Sequence, residues 1–213
     1  MKHLKIIFTV SILVFFLNTL ANAQETNQAK IGIKGGVNFS NLYTKDADNT
    51  KTLTGFNAGI FAKIPITSRF AIQPELYFTT KGADVTYRNA FVDGTARFKL
   101  DYVELPILIV ANITKNFHIE AGAYAGVLVS GKVKNQSNVG LFNFEDNIKV
   151  EDYNRLDAGL AAGVGFDFGA LGIGARYTYG LTKVGKEHTF LGTPYRFPDA
   201  VNGVLNVYLS VGF

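Results

Sequence analysis

The sequence predicts an all-β protein, an eight-stranded antiparallel up-and-down transmembrane β-barrel with short periplasmic turns and long extracellular loops. Three observations carry that reading. Eight segments alternate apolar and polar residues with a period of two, the links between them are short and long in strict succession, and aromatic side chains border the apolar face at both ends.

The first segment, Ala29–Ser40, sets Ile31, Ile33, Val37 and Phe39 against Lys30, Gly32, Lys34, Gly36, Asn38 and Ser40. Gly55–Ile64 places Phe56, Ala58, Ile60, Ala62 and Ile64 opposite Asn57, Gly59 and Lys63. Phe70–Gly82 opposes Phe70, Ile72, Leu76 and Phe78 to Gln73, Glu75, Tyr77, Thr79 and Lys81. In Phe98–Ala111, Val103, Leu105, Ile107 and Ile109 face away from Tyr102 and Glu104, although Leu108 and Val110 interrupt the polar side. Phe117–Ser130 sets Phe117, Ile119, Ala121, Ala123, Val127 and Val129 against His118, Glu120, Gly122, Tyr124 and Gly126. Arg155–Phe168 divides Leu156, Leu160, Val164, Phe166 and Phe168 from Arg155, Asp157, Gly159, Gly163 and Asp167. Leu171–Thr182 divides Ile173, Ala175, Tyr177, Tyr179 and Leu181 from Gly172, Gly174, Arg176 and Thr178. Val201–Phe213 ends the series, with Leu205, Val207, Leu209, Val211 and Phe213 opposite Asn202, Asn206, Tyr208 and Ser210. Segments of roughly 10 to 14 residues exceed the usual globular strand of about 5 or 6 and suit a tilted bilayer crossing.

Pro65–Arg69, Asn112–Asn116 and Gly169-Ala170 are the short links; Asn41–Thr54, Ala83–Arg97, Gly131–Asn154 and Lys183–Ala200 are the long ones, expected to be loops. Lipid decides between a membrane barrel and a soluble one. A small closed barrel could not pack all the Lys, Glu, Asp and Arg of the polar face into a dry core, because each buried charge costs several kcal/mol unless paired. Facing hydrocarbon, the apolar side needs no partner, and closure satisfies the backbone. Phe70, Phe117, Phe166, Phe168 and Phe213 then form one interfacial ring, and Phe39, Phe56, Phe78, Tyr177 and Tyr179 the other.

The termini fit the same scheme. Lys2 and Lys5 precede the apolar run Ile6–Leu20, and Ala21-Asn22-Ala23 supplies a small-x-small cleavage site. Residues 1–23 are expected to be a signal peptide, leaving 24–213 as one barrel domain in the cell outer membrane; a retained anchor would need a longer apolar run. The chain has no cysteine, so neither lipid attachment through a thiol nor a disulfide is expected. Without Lys2 and Lys5, 19 basic residues balance 17 acidic ones and no basic run exists, which argues against nucleic acid as a partner. Val204–Phe213 is the closing strand and must pair with Ala29–Ser40 to remove the last free edge.

Chemistry could reside only on the inward face or in the loops. Lys34, Lys63, Glu75, Lys81, Glu104, Glu120 and Arg176 are expected to form a structural polar network, because an eight-stranded barrel is just wide enough for its own side chains. The competing reading makes Glu75 and Glu104 a paired-carboxylate acid/base site or an ion-selecting constriction. His118 is a lone inward histidine, and Asp46-Ala47-Asp48-Asn49 lacks the glycine and distal glutamate of a calcium loop, so no metal, cofactor or catalytic group is assigned. Phe142, Phe144, Tyr195 and Phe197 in the long loops are candidate contact residues for a partner or ligand, or for a cap over the barrel.

The stretches IQPELYFTTKG (Ile72–Gly82), DYVELPILIVA (Asp101–Ala111), IGIKGGVNFSNL (Ile31–Leu42) and AGAYAGVLVSGK (Ala121–Lys132) resemble the PorT-like, or "porin family", outer-membrane β-barrels of Bacteroidetes. The resemblance implies an eight-stranded barrel and little about activity; a role in secretion and gliding belongs to a subset of that family. Phe213 with Val211, Leu209 and Val207 is similar to the C-terminal signal read by the outer-membrane assembly machinery, with Tyr208 where that signal often has glycine. The expected partners are therefore outer-membrane lipid, the assembly machinery during biogenesis, and a surface or secretion partner met by the long loops. The expected function is a structural or interaction module without catalytic activity; the alternatives are a narrow transport channel, a PorT-type secretion accessory and an outer-membrane enzyme.

Overall fold

Chain direction reverses at every link, and each of eight long strands pairs antiparallel with the two beside it. The structure is a computed structural model and describes residues 28–43, 50–88, 93–137, 144–147, 153–185, 187–190, 193–196 and 200–213. Its strands are β1 (Lys30–Tyr43), β2 (Thr50–Pro65), β3 (Phe70–Arg88), β4 (Asp93–Asn112), β5 (Phe117–Ser137), β6 (Phe144–Asn147), β7 (Leu156–Phe168), β8 (Leu171–Gly180), β9 (Glu187–Phe190), β10 (Thr193–Arg196) and β11 (Val201–Gly212). The wall runs β1-β2-β3-β4-β5-β7-β8-β11 and returns to β1. Closure is made by Val37↔Val207 and its neighbours, with Phe213 and Ile31 exchanging backbone hydrogen bonds at the end. The predicted signal peptide, Asp46–Asn49, Phe142 and Phe197 lie outside the described residues.

The short links follow from their sequences. Ile66-Thr67-Ser68-Arg69-Phe70 and Ile113-Thr114-Lys115-Asn116-Phe117 share the pattern Ile-Thr-x-x-Phe and fold alike. In each, the isoleucine N–H donates to the phenylalanine carbonyl, and the threonine hydroxyl accepts from the phenylalanine N–H. The third turn has two residues, and Gly169 adopts φ +67° there, the left-handed conformation that a tight hairpin requires.

All four of the predicted long loops are strand for part of their length, two of them by long extensions of the wall. The sequence pattern predicts irregular chain over Ala83–Arg97 and Gly131–Asn154. Instead β3 continues to Arg88, β4 begins at Asp93, and β5 runs to Ser137 with the short β6 beside it. Above the bilayer the outward positions become Asp84, Arg97, Lys99, Lys132 and Lys134, so the apolar–polar contrast vanishes while the ladder continues.

The alternation has the sign that lipid demands. Ile33, Ile60, Leu105, Ile107, Ile109 and Leu209 stand on the outside, Leu209 at 65% exposure, and both aromatic rings also face outward. The inside is not uniformly polar. Leu108 and Val110 fill it towards the short turns, and Leu100, Tyr102 and Leu128 pack with Tyr153 and Val184 at the opposite end. Lumen tyrosines are accommodated by facing glycines: a Cβ on Gly174 would meet the Tyr208 ring, and one on Gly59 the Tyr77 ring.

Leu209→Lys is expected to destabilise the barrel by about 2–4 kcal/mol in lipid, because it places an ammonium near mid-band against hydrocarbon. Urea titration of folding into phospholipid vesicles measures it; a change within about 0.5 kcal/mol, as at an ordinary wet surface, would contradict the membrane-facing assignment.

Candidate functional site

The lumen holds two tiers of buried charge. In the tier nearer the short turns, Glu75 of β3 accepts from Lys34 of β1 at 2.7 Å and from Gln73 at 2.6 Å. Arg176 of β8 reaches Glu75 from the diametrically opposite strand with two guanidinium nitrogens, one of them at 3.0 Å. The same guanidinium donates through Nε to Glu120 of β5 at 2.8 Å, and the Tyr208 hydroxyl donates to that carboxylate at 3.2 Å. The Lys34 ammonium also stands 4.0 Å from the Tyr208 ring centre. Two cations meet two carboxylates, so this tier is neutral.

Lys81 of β3 centres the outer tier. Its ammonium lies 2.6 Å from Glu104 and donates to Asp157 at 2.8 Å, with the Tyr124 ring 4.3 Å away. Asn202 and Thr182 donate to Asp157 at 3.1 and 3.2 Å. An amide layer joins the tiers: Asn206 and Asn57 both donate to the side-chain carbonyl of Asn38, and Asn38 donates to the Thr79 hydroxyl. The gap left there is about 20 Å³, lined in part by Lys81, Glu104 and Arg176. That is room for one water molecule and no larger solute.

Below the inner tier the lumen opens at the short-turn end into a cup of about 680 Å³. Lys63 projects into it and donates to Asp167 at 3.1 Å, and His118 Nδ1 lies 3.2 Å from the same carboxylate. Above the outer tier sits the apolar cluster of Leu100, Tyr102, Leu128, Tyr153 and Val184. Backbone bonds from Asn154 to Val184 and from Val184 to Ala200 hold its two loop members in place.

All seven predicted inward residues thus point into the lumen, but not as one group. Lys34, Glu75, Glu120 and Arg176 form the inner tier, Lys81 and Glu104 belong to the outer one, and Lys63 stands apart in the cup. Glu75 and Glu104 engage different cations and do not form the paired-carboxylate site. Asp157 is the member that sequence reasoning misses, although its parity opposite Leu156 and Leu160 signals an inward carboxylate. Phe144 begins β6 and Tyr195 lies in β10, on the long-loop side. Among the described residues no group of three or more His, Cys, Asp or Glu is arranged to hold a metal ion.

Comparison with known proteins likewise returns an outer-membrane β-barrel. The family model described as outer membrane protein beta-barrel domain matches residues 22–185. The chain belongs to that family. Among solved structures it is similar to the Neisserial surface protein A, NspA, at 14% identity and TM-score 0.53, over 87% of this chain and 99% of that one. The attachment invasion locus protein Ail of Yersinia pestis matches at 15% identity and TM-score 0.49 over 87% and 99%. OprG of Pseudomonas aeruginosa matches at 13% and 0.40 over 88% and 97%. At such identities the NspA likeness bears on the fold alone. No curated protein matches the sequence. As a member of this family the chain resides in the outer membrane, which sets the short turns in the periplasm and the long links outside.

Arg176→Met is expected to cost about 3–5 kcal/mol, because it leaves Lys34 as the one cation for the two buried carboxylates Glu75 and Glu120. Adding Glu120→Gln, which leaves Glu75 paired with Lys34, recovers most of that loss, measurable by urea titration in vesicles. Lys63→Ala, at the wetter cup, is expected to change stability by less than about 1 kcal/mol in the same assay.

Proposed function

We propose that this protein is a sealed outer-membrane anchor whose outward-facing links contact a surface partner or ligand, with no solute passage and no catalysis. The observation that carries the reading is the plugged lumen. Two ionic tiers, the amide layer between them and the apolar cluster above occupy successive levels, and the gap at the amide layer is water-sized. Its carboxylates are already engaged, Glu75 and Glu120 by Arg176 and Glu104 by Lys81, which leaves none of them poised as a general acid or base. Phe142, Phe144, Tyr195 and Phe197 are the residues assigned to outer contact, since aromatic side chains on outer links held by a rigid scaffold suit recognition. A secretion-accessory role of the PorT-like kind would be one form of such contact.

Planar-bilayer recording tests the reading. Purified protein is expected to give no reproducible single-channel steps. Steps that appear in the native protein and change with charge reversal at Glu104 or Arg176 would establish the narrow-channel alternative instead. Deleting residues 135–152 is expected to abolish recovery of a surface partner in pull-downs from intact cells, and unchanged recovery removes that loop from the contact.

A further inference from the structure

The wall carries an unusual charge arrangement just above its outer aromatic ring. Val103, Asp101, Lys99 and Arg97 are successive outward positions on β4, and Ser130, Lys132 and Lys134 continue the same face on β5. The register sets Lys99 directly opposite Lys132 and Arg97 directly opposite Lys134. Like charges facing each other across an antiparallel pair are destabilising, and here two such pairs follow one another. Lys51 joins them from β2, opposite Asp84.

The neighbouring carboxylates do not balance the patch. Asp84 is taken by Arg97, which donates through Nε and Nη2 at 2.8 and 2.7 Å. Asp101 accepts from the hydroxyls of Thr80 and Ser130 at 2.7 and 2.9 Å. Glu145 of β6 lies 3.9 Å from the Lys132 ammonium and 3.7 Å from that of Lys134, so both share it loosely. Among the described residues five cations (Lys51, Arg97, Lys99, Lys132 and Lys134) therefore face three carboxylates, an excess of two positive charges. The position matters as much as the sign. Lys99 Nζ lies 6.0 Å from the ring centre of Phe56, a residue of the outer aromatic ring, which sets the ammonium at the headgroup level. Lys99 lies about 13 Å along the strand from Val103, on the side of the wall that faces lipid.

We propose that this face of β4 and β5 binds a phosphate group on a glycolipid headgroup of the outer leaflet, with Lys99, Lys132 and Lys134 as its ammonium donors. A phosphate monoester carries between one and two negative charges near neutral pH, matching the excess, and it relieves the repulsion built into the register. The proposal is independent of what the outer loops contact.

The test uses the full chain folded in nanodiscs, with bisphosphorylated lipid A and its dephosphorylated form as probes, and reads retained lipid by native mass spectrometry. The native protein is expected to retain the phosphorylated probe roughly tenfold or more over the dephosphorylated one. Lys99→Gln, Lys132→Gln and Lys134→Gln together abolish the preference, the corresponding three arginine substitutions keep it, and Lys115→Gln on a periplasmic turn leaves it unchanged. Heat-dependent gel mobility establishes that each variant is folded, and the native protein's comparison of the two lipids decides the matter if the triple variant is not. Equal retention of both lipids by the native protein, or an unaltered preference in the folded triple glutamine variant, overturns the proposal.

Discussion

In hydrocarbon a backbone N–H has nothing to donate to except another strand, so β1 must find β11. Once the ring is closed, the inside has a fixed and small cross-section, and every inward side chain must be accommodated within it. The outside then holds Ile, Leu, Val and Phe that no protein surface covers, and the inside holds what is too polar for lipid. Both consequences descend from the one closing pair of strands.

A closed ring leaves the polar residues no route to bulk water at mid-depth. The price of that confinement is met locally: Arg176 spans the full width of the barrel to Glu75, and Lys81 sits between Glu104 and Asp157. Such pairs add little net stability over an apolar filling, but a missing partner is costly. They also tie together strands that are not neighbours in the wall, since β3 meets β8 through one ion pair and β7 through another. The lumen thereby acts as a set of cross-braces as well as a stopper.

How much of this is readable in the sequence depends on what enforces each feature. Lipid tolerates only apolar side chains, so Leu105 and Ile107 stand out at once beside the inward Glu104. Inward parity is likewise readable, and it places Lys34, Glu75 and Arg176 in the lumen. Which inward residues meet is a matter of stagger between distant strands, which parity does not encode. The separation of Glu75 from Glu104 and the part played by Asp157 therefore emerge only in three dimensions. The continuation of β3, β4 and β5 is hidden for a different reason. Beyond the bilayer both faces are wet, and outward Lys99 and Lys132 look like loop residues although their backbones remain in the ladder.

That continuation raises one arc of the wall at the cell surface. From Val103 to Gly94, β4 runs on for about 30 Å along its own tilted length past the outer aromatic level while staying paired with β5, whereas the β7–β8 ladder stops at Gly159↔Gly180. A parapet on one arc screens approach to the mouth from that flank.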